Sequence, residues 1–163
     1  MNQDKIKTNT IIEDVIKDAL EVLKGKIQEN KINVIVDFRT AHECFSHPNE
    51  LQQVFLAILN NAIDMLVAKE ITSPNIKIEI SKDKKNITIN ISDNAGGIDE
   101  ECLDKIFEPY YSTKHKAQGT GLGLYISKVI VEDSLGGKLS VKNNLSGACF
   151  SIILKFRLGD NKR

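Results

Sequence analysis

"HKAQGTGLGLYISK", residues 115–128, carries three glycines at alternate positions, Gly119, Gly121 and Gly123. A Lys/His cluster precedes them and an apolar pattern at helical spacing follows. Glycine weakens a helix or strand, because its backbone loses the most freedom on ordering. Its use here points to a backbone that must bend, or must come close to something. Two familiar phosphate loops are excluded by the residues themselves. A G-x-x-x-x-G-K-[ST] loop needs a lysine after its last glycine, and Gly123 is followed by Leu124. A G-x-G-x-x-G turn needs a strand before it, and a polar loop stands there instead. The physics common to both survives. Free N–H groups at a helix start attract an anion, and the helix dipole favours negative charge there. Lys114, His115 and Lys116 add positive charge nearby. A mobile loop with a tight helix entry would leave the same trace.

Outward from this stretch, the pattern predicts a helix over residues 122–135, then a hairpin of "GKLSVKN" and "ACFSIILKF" joined through "NLSG". Upstream, residues 93–120 are polar and aperiodic, with at most a short helix over 100–107. "NIKIEIS" and "NITINIS" alternate strictly and form a second hairpin around "KDKK". "HPNELQQVFLAILNNAIDMLVAKE" opens with a proline suited to a first helical turn and continues at helical spacing. "KINVIVDF" reads as a strand with Ile32, Val34, Val36 and Phe38 on one side. "TNTIIEDVIKDALEVLKGKIQEN" reads as one amphipathic helix started by Thr10 with Glu13 and Asp14. The order helix, strand, helix, hairpin, long loop, helix, hairpin predicts an α/β (α+β) two-layer sandwich. A mixed, largely antiparallel sheet would carry its helices on one face. The expected organisation is a flexible segment 1–9, one domain 10–157 and a tail 158–163.

Composition narrows the function classes. The 22 basic and 22 acidic residues cancel, which argues against a dominant nucleic-acid or acidic-membrane role. The longest purely apolar run, residues 54–59, is too short to span a bilayer. "MNQDKIKTNT" is polar and carries no secretory pattern. Cys44, Cys102 and Cys149 show neither metal-ligand spacing nor a disulfide framework, so a reducing cytoplasm is expected.

Two further residues stand out. Asp93 ends an alternating strand just before Gly96 and Gly97. A carboxylate beside bare backbone can accept from an amino group on a flat ring, and the same residues also make an ordinary turn. Asn61 lies at the margin of the buried stripe of its helix, three residues beyond Ile58. Asparagine is a poor interior residue for a helix. Its amide oxygen suits Mg²⁺, and it would equally bond a neighbouring loop. Asn60 is expected to face outward.

In this order and spacing, the segments resemble the ATP-binding catalytic domain of histidine kinases. The wider superfamily includes DNA gyrase, the heat-shock chaperone of that fold and the mismatch-repair ATPases. "LQQVFLAILNNAIDML" is similar to the family's N box, "DNAGGI" to its first glycine box, "IFEPYYSTK" to its F box and "GTGLGLYISK" to its second glycine box. The resemblance covers residues 8–157. It implies ATP and Mg²⁺ as cofactors, with Asn61 holding the metal and Asp93 accepting from the adenine amino group. Gly97 would let the ring lie close, with Ile98 beside it. Residues 99–119 would form the mobile ATP lid, anchored by Phe107, with Lys114 reaching a phosphate and His115 or Lys116 assisting. Gly119, Gly121 and Gly123 would shape the hinge, Thr120 would be among the nucleotide contacts, and the amides of Leu122, Gly123 and Leu124 would face the phosphates. Asn61 and Lys114 would be the catalytic pair.

Three departures qualify the resemblance. Ala57 stands where the family often has Asn or Glu, which predicts weak hydrolysis. Ala95 replaces the first glycine of its box, and Ala148 replaces a threonine of the closing hairpin. The resemblance also implies a histidine-containing dimerisation domain as partner, in cis or in trans, and a response regulator downstream. "HECFSHP" lacks the Arg and Pro of the phosphoacceptor box, so His42 is expected to be a loop residue. The chain is therefore expected to be a monomeric catalytic domain, or a fragment of a longer kinase, with no nucleic-acid or membrane contact of its own. A stand-alone serine kinase of the anti-sigma type and a non-catalytic nucleotide-binding module are the competing readings.

Overall fold

Alternating isoleucines give this chain a sheet with one dry face, and the helices collect on it. The computed structural model describes residues 7–38, 41–111 and 121–155. The chain runs β1 (Thr8–Ile11), α1 (Ile12–Val22), α2 (Lys24–Glu29), β2 (Asn33–Asp37), β3 (Glu43–Ser46), α3 (Pro48–Ala68), β4 (Asn75–Lys82) and β5 (Asn86–Asp93). After a 3-10 turn (Glu100–Cys102) come α4 (Gly123–Val129), a π-helical turn that continues it (Ile130–Ser134), β6 (Lys138–Asn143) and β7 (Ala148–Lys155). Five strands pair in the order β2-β4-β5-β7-β6. Only β2 with β4 is parallel, so the sheet is mixed and largely antiparallel, as expected.

The register explains the core. Ile80, Ile89, Ile152 and Leu139 line up across four strands, and Ile78, Ile91, Phe150 and Val141 form the next row. Along β5 the same face carries Ile87, Ile89, Ile91 and then Asp93, all buried. A carboxylate thus occupies the position where the period calls for a fourth apolar side chain. Against this face lies α3, with α1 on one side and α4 on the other. Leu51, Val54, Phe55, Ile58, Leu59, Ala62, Ile63 and Leu66 of α3 are buried. By length and apolarity α3 would cross a membrane, yet this buried face makes it the central helix of the core.

The N-terminal expectation needs correction. Residues expected to open one long helix instead form β1, which pairs antiparallel with β3, Thr10 opposite Cys44. Thr10 is no helix cap; its hydroxyl donates to Thr8 O at 3.0 Å, and Ile11 holds the cap position without a side-chain bond. β1 begins inside the segment expected to be flexible. The helix then breaks at Leu23 (φ −93°, ψ 4°), which divides α1 from α2. Glu13, read as part of the cap, is bound elsewhere. Its carboxylate accepts from the His42 backbone N–H at 2.8 Å and meets the His42 ring nitrogen at 2.6 Å. Both side chains are nearly covered, so the pair fastens α1 to the segment before β3. No strand was expected at β3. Four residues are too short for a period, and their partner lies more than thirty positions away.

Phe55 is fully buried. Phe55→Ala is expected to lower the unfolding free energy by about 3–5 kcal/mol. Urea titration with an unchanged m-value checks this, because a changed m-value would mean that the native or denatured state had been altered too.

Candidate functional site

Asp93 closes β5 and turns its side chain into the dry layer, where it is only 6% exposed. Its Oδ1 accepts from the Ala95 N–H at 2.9 Å and from the Ala148 N–H at 3.4 Å. Oδ2 has no hydrogen bond among the described residues. Burial pushes the carboxyl above the usual aspartate range; the two backbone donors and, more weakly, the Lys69 ammonium pull the other way. Ala95 and Ala148 both serve this carboxylate through their backbone N–H groups, which do not depend on the side chain. Gly147 is required beside it, because a Cβ there would lie 2.0 Å from Asp93 O.

The turn after Asp93 is held from two sides. Gly96 and Gly97 both adopt φ +88°. Gly96 N–H donates to Ser146 O at 3.0 Å. Asn143, at the end of β6, accepts from Ile98 N–H at 2.8 Å and donates to Ile98 O at 2.7 Å. A Cβ on Gly97 would come within 3.0 Å of Asn143 Oδ1, so the space at Gly97 is already spent on this clamp. From the other side, Lys69 Nζ donates to Ala95 O at 2.8 Å and to Gly97 O at 3.3 Å.

Asn61 sits on α3, partly buried, and its side chain makes no hydrogen bond among the described residues. Asn60 accepts from Lys26 Nζ at 2.9 Å on the outer side, as its expected orientation implies. One turn before Asn61, Ala57 faces Gly123 at the start of α4, where a Cβ on Gly123 would lie 3.7 Å from that of Ala57. Gly121 adopts φ +77°, and a Cβ there would strike Tyr110 backbone at 2.6 Å. Tyr110 N–H donates to Gly121 O at 2.8 Å, which holds these two residues side by side. Leu122 and Leu124 flank the helix start. Lys114, Gly119 and Thr120, with His115 and Lys116, lie outside the described residues.

Phe107 packs edge-on against Phe150, with centroids 6.2 Å apart and planes at 89°. Lys128 of α4 lies 4.7 Å from the Phe107 ring centroid. Lys128 also donates to Leu139 O at 3.0 Å and pairs with Glu132 at 3.2 Å, while Glu132 accepts from Leu139 N–H at 3.1 Å. These two side chains occupy hydrogen-bonding groups on the open edge of β6. Lys69, Asn143 and Lys128 were all missed in the sequence. Only the Lys128–Glu132 spacing left a local trace, since the other two act on backbone far along the chain.

No cluster of three or more His, Cys, Asp or Glu side chains able to hold a metal exists among the described residues. One amide oxygen is still enough for a magnesium ion whose other ligands are phosphates and water. The acceptor at Asp93 Oδ2 suits an amino group on a flat ring, and the amide oxygen of Asn61 suits a metal ion.

Residues 46–158 match the family described as histidine kinase-, DNA gyrase B-, and HSP90-like ATPase. Sporulation kinase E of Bacillus subtilis (strain 168) is 29% identical over 154 residues, 93% of this chain and 20% of that protein. The two-component sensor PprA of Pseudomonas aeruginosa is 35% identical over 109 residues, 65% of this chain and 12% of that protein. The chain thus spans a fifth or less of the length of these relatives. The nucleotide-free catalytic domain of histidine kinase ThkA superposes with a TM-score of 0.80 at 26% identity, covering 91% of this chain and 95% of that one. ThkA has also been solved in complex with the response regulator protein TrrA.

The raised pKa of Asp93 has a definite sign for stability. Its contribution is fully present below the unfolded value of 3.8 and is lost as pH rises through the folded value, so the ionised carboxylate opposes folding at neutral pH. Asp93→Asn keeps an Oδ1 acceptor and removes that charge. It is expected to raise Tm at pH 7, with a gain that shrinks as pH falls toward 4, as thermal melts across pH will show. Asn143→Ala is expected to abolish the hydrogen-exchange protection of the Ile98 amide while the sheet amides keep theirs.

Proposed function

Because the chain belongs to the family of histidine kinase-, DNA gyrase B-, and HSP90-like ATPases, we propose that it is the ATP-binding catalytic domain of a two-component sensor histidine kinase. In this reading it binds ATP with Mg²⁺ and delivers the γ-phosphoryl group to a histidine on a helical dimerisation domain. A response regulator takes the group onward. The observation that carries the reading is the buried Asp93, with Oδ2 unengaged among the described residues beside two left-handed glycines.

Each part has a physical task. Asp93 Oδ2 accepts from the exocyclic amino group of adenine, and its burial excludes water from that bond. The Asn143 clamp holds Ile98 against the same edge of the ring. Asn61, partly buried and without a side-chain partner among the described residues, would hold Mg²⁺ through its amide oxygen, and the bound ion would supply neutralisation of phosphate charge. The first amides of α4 face the phosphates, since their N–H groups lack partners within the helix. Lys114, with Gly119 and Thr120, completes the phosphate side. Phosphoryl transfer depends mainly on positioning and charge stabilisation, so this set needs no nucleophile of its own. Ala57 gives water no general base at that position, which favours transfer over hydrolysis.

The reading is tested with radiolabelled Mg-ATP and a supplied histidine-bearing dimerisation domain. Acid-labile label on that domain is the expected result; label on a serine protein instead, or binding with no transfer, would overturn it. Calorimetry tests the residues. Asp93→Ala is expected to weaken adenine nucleotide binding at least about a hundredfold, the cost of losing a buried charged acceptor. Asn61→Ala is expected to remove the gain in affinity from Mg²⁺ while sparing binding of the bare nucleotide. Equal losses with and without metal would remove Asn61 from the metal site.

A further inference from the structure

We propose that Lys69 is a positioning residue for the adenine side of the site, bracing the turn over residues 95–98 against the end of α3. This deepens the nucleotide-binding reading above and rests on it. The geometry is specific to two peptide planes. The plane joining Ala95 to Gly96 gives its carbonyl to Lys69 at 2.8 Å and its N–H to Ser146 O at 3.0 Å. The plane joining Gly97 to Ile98 gives its carbonyl to Lys69 at 3.3 Å and its N–H to Asn143 Oδ1 at 2.8 Å. Each plane is therefore gripped from opposite sides, by the helix-borne ammonium and by the β6–β7 hairpin. Between them lie two successive glycines at φ +88°, the residues most free to move if released. Ordering them before the ligand arrives removes that entropy from the cost of binding.

The position of Lys69 adds to this. It caps α3, with its own N–H on Met65 O at 3.0 Å, where the helix dipole favours a cation. Asn61 stands two turns earlier on the same helix, about 12 Å along the axis at 1.5 Å per residue. One rigid helix thereby sets the separation between the metal side and the ring side of the site. Lys69 also acts on Asp93. Burial raises that carboxyl, the Ala95 and Ala148 N–H groups oppose the rise, and Lys69 is the only charged group with an effect on it among the described residues.

The test is calorimetric titration with ADP from pH 5 to 8, with thermal melts alongside, on the unaltered chain, Lys69→Met and Lys69→Arg. Lys69→Met is expected to melt cooperatively and to bind about tenfold more weakly at neutral pH, the scale of one charge-assisted hydrogen bond. The acid limb of its affinity profile is expected to move to higher pH. Lys69→Arg is expected to recover most of the affinity and the original limb. Binding by Lys69→Met that matches the unaltered chain at every pH overturns the inference alone. A uniform loss, with the acid limb unmoved and no rescue by arginine, also overturns it. Should Lys69→Met fail to melt cooperatively, the arginine variant decides: retained affinity and limb support the brace, and their loss refutes it. Absence of binding by the folded, unaltered chain overturns the nucleotide reading and this inference together.

Discussion

A carboxylate buried at the end of an isoleucine stripe is the constraint around which this domain is arranged. Asp93 continues the buried face set by Ile87, Ile89 and Ile91. A charge at that depth is tolerated only with donors around it. The chain supplies them from backbone, at Ala95 two residues on and at Ala148 on the neighbouring strand. The pairing of β5 with β7 and the absence of a side chain at Gly147 bring that second donor close. Under the proposed reading, an ionised group held in a dry layer would be a strong acceptor for an incoming donor, so stability and recognition would pull against each other at one atom.

The second organising element is α3. Its inward face fills the core, and its margin carries Asn61. Its end carries Lys69, and its contact with α4 through Ala57 and Gly123 fixes where the glycine-rich entry begins. One helix thus carries Asn61, bonds the turn after Asp93 and meets the start of α4. On the far side of the sheet end, Phe107, Phe150 and Lys128 join the segment after Asp93 to α4 and to the edge of β6. Tyr110 and Gly121 are held together by the hydrogen bond between them.

Much of this was legible along the chain. The two hairpins, the long α3, the mixed sheet with helices on one face, and the outward turn of Asn60 follow from local periodicity and turn chemistry. The family resemblance, carried by four short boxes, agrees with the comparisons. The N-terminus was misread, because Ile11 and Ile12 suit the end of a strand as well as the start of a helix. What separates the two is β3, and a four-residue strand leaves no periodic signal.

By itself, the sequence determined which face of each strand and helix would be buried, where the glycines would release the backbone, and which polar residues stood out of pattern. These are properties of neighbours within a turn or a pleat, so they can be read in order. The tertiary structure alone decided that Glu13 binds His42 rather than capping its helix. It decided that Gly97 makes room for Asn143, and that Lys69 and the β6–β7 hairpin hold the same turn from opposite sides. Those contacts join backbone groups to side chains dozens of residues away. A backbone carbonyl or N–H carries no residue identity, so no pattern of residue types announces which one a distant lysine or asparagine will find.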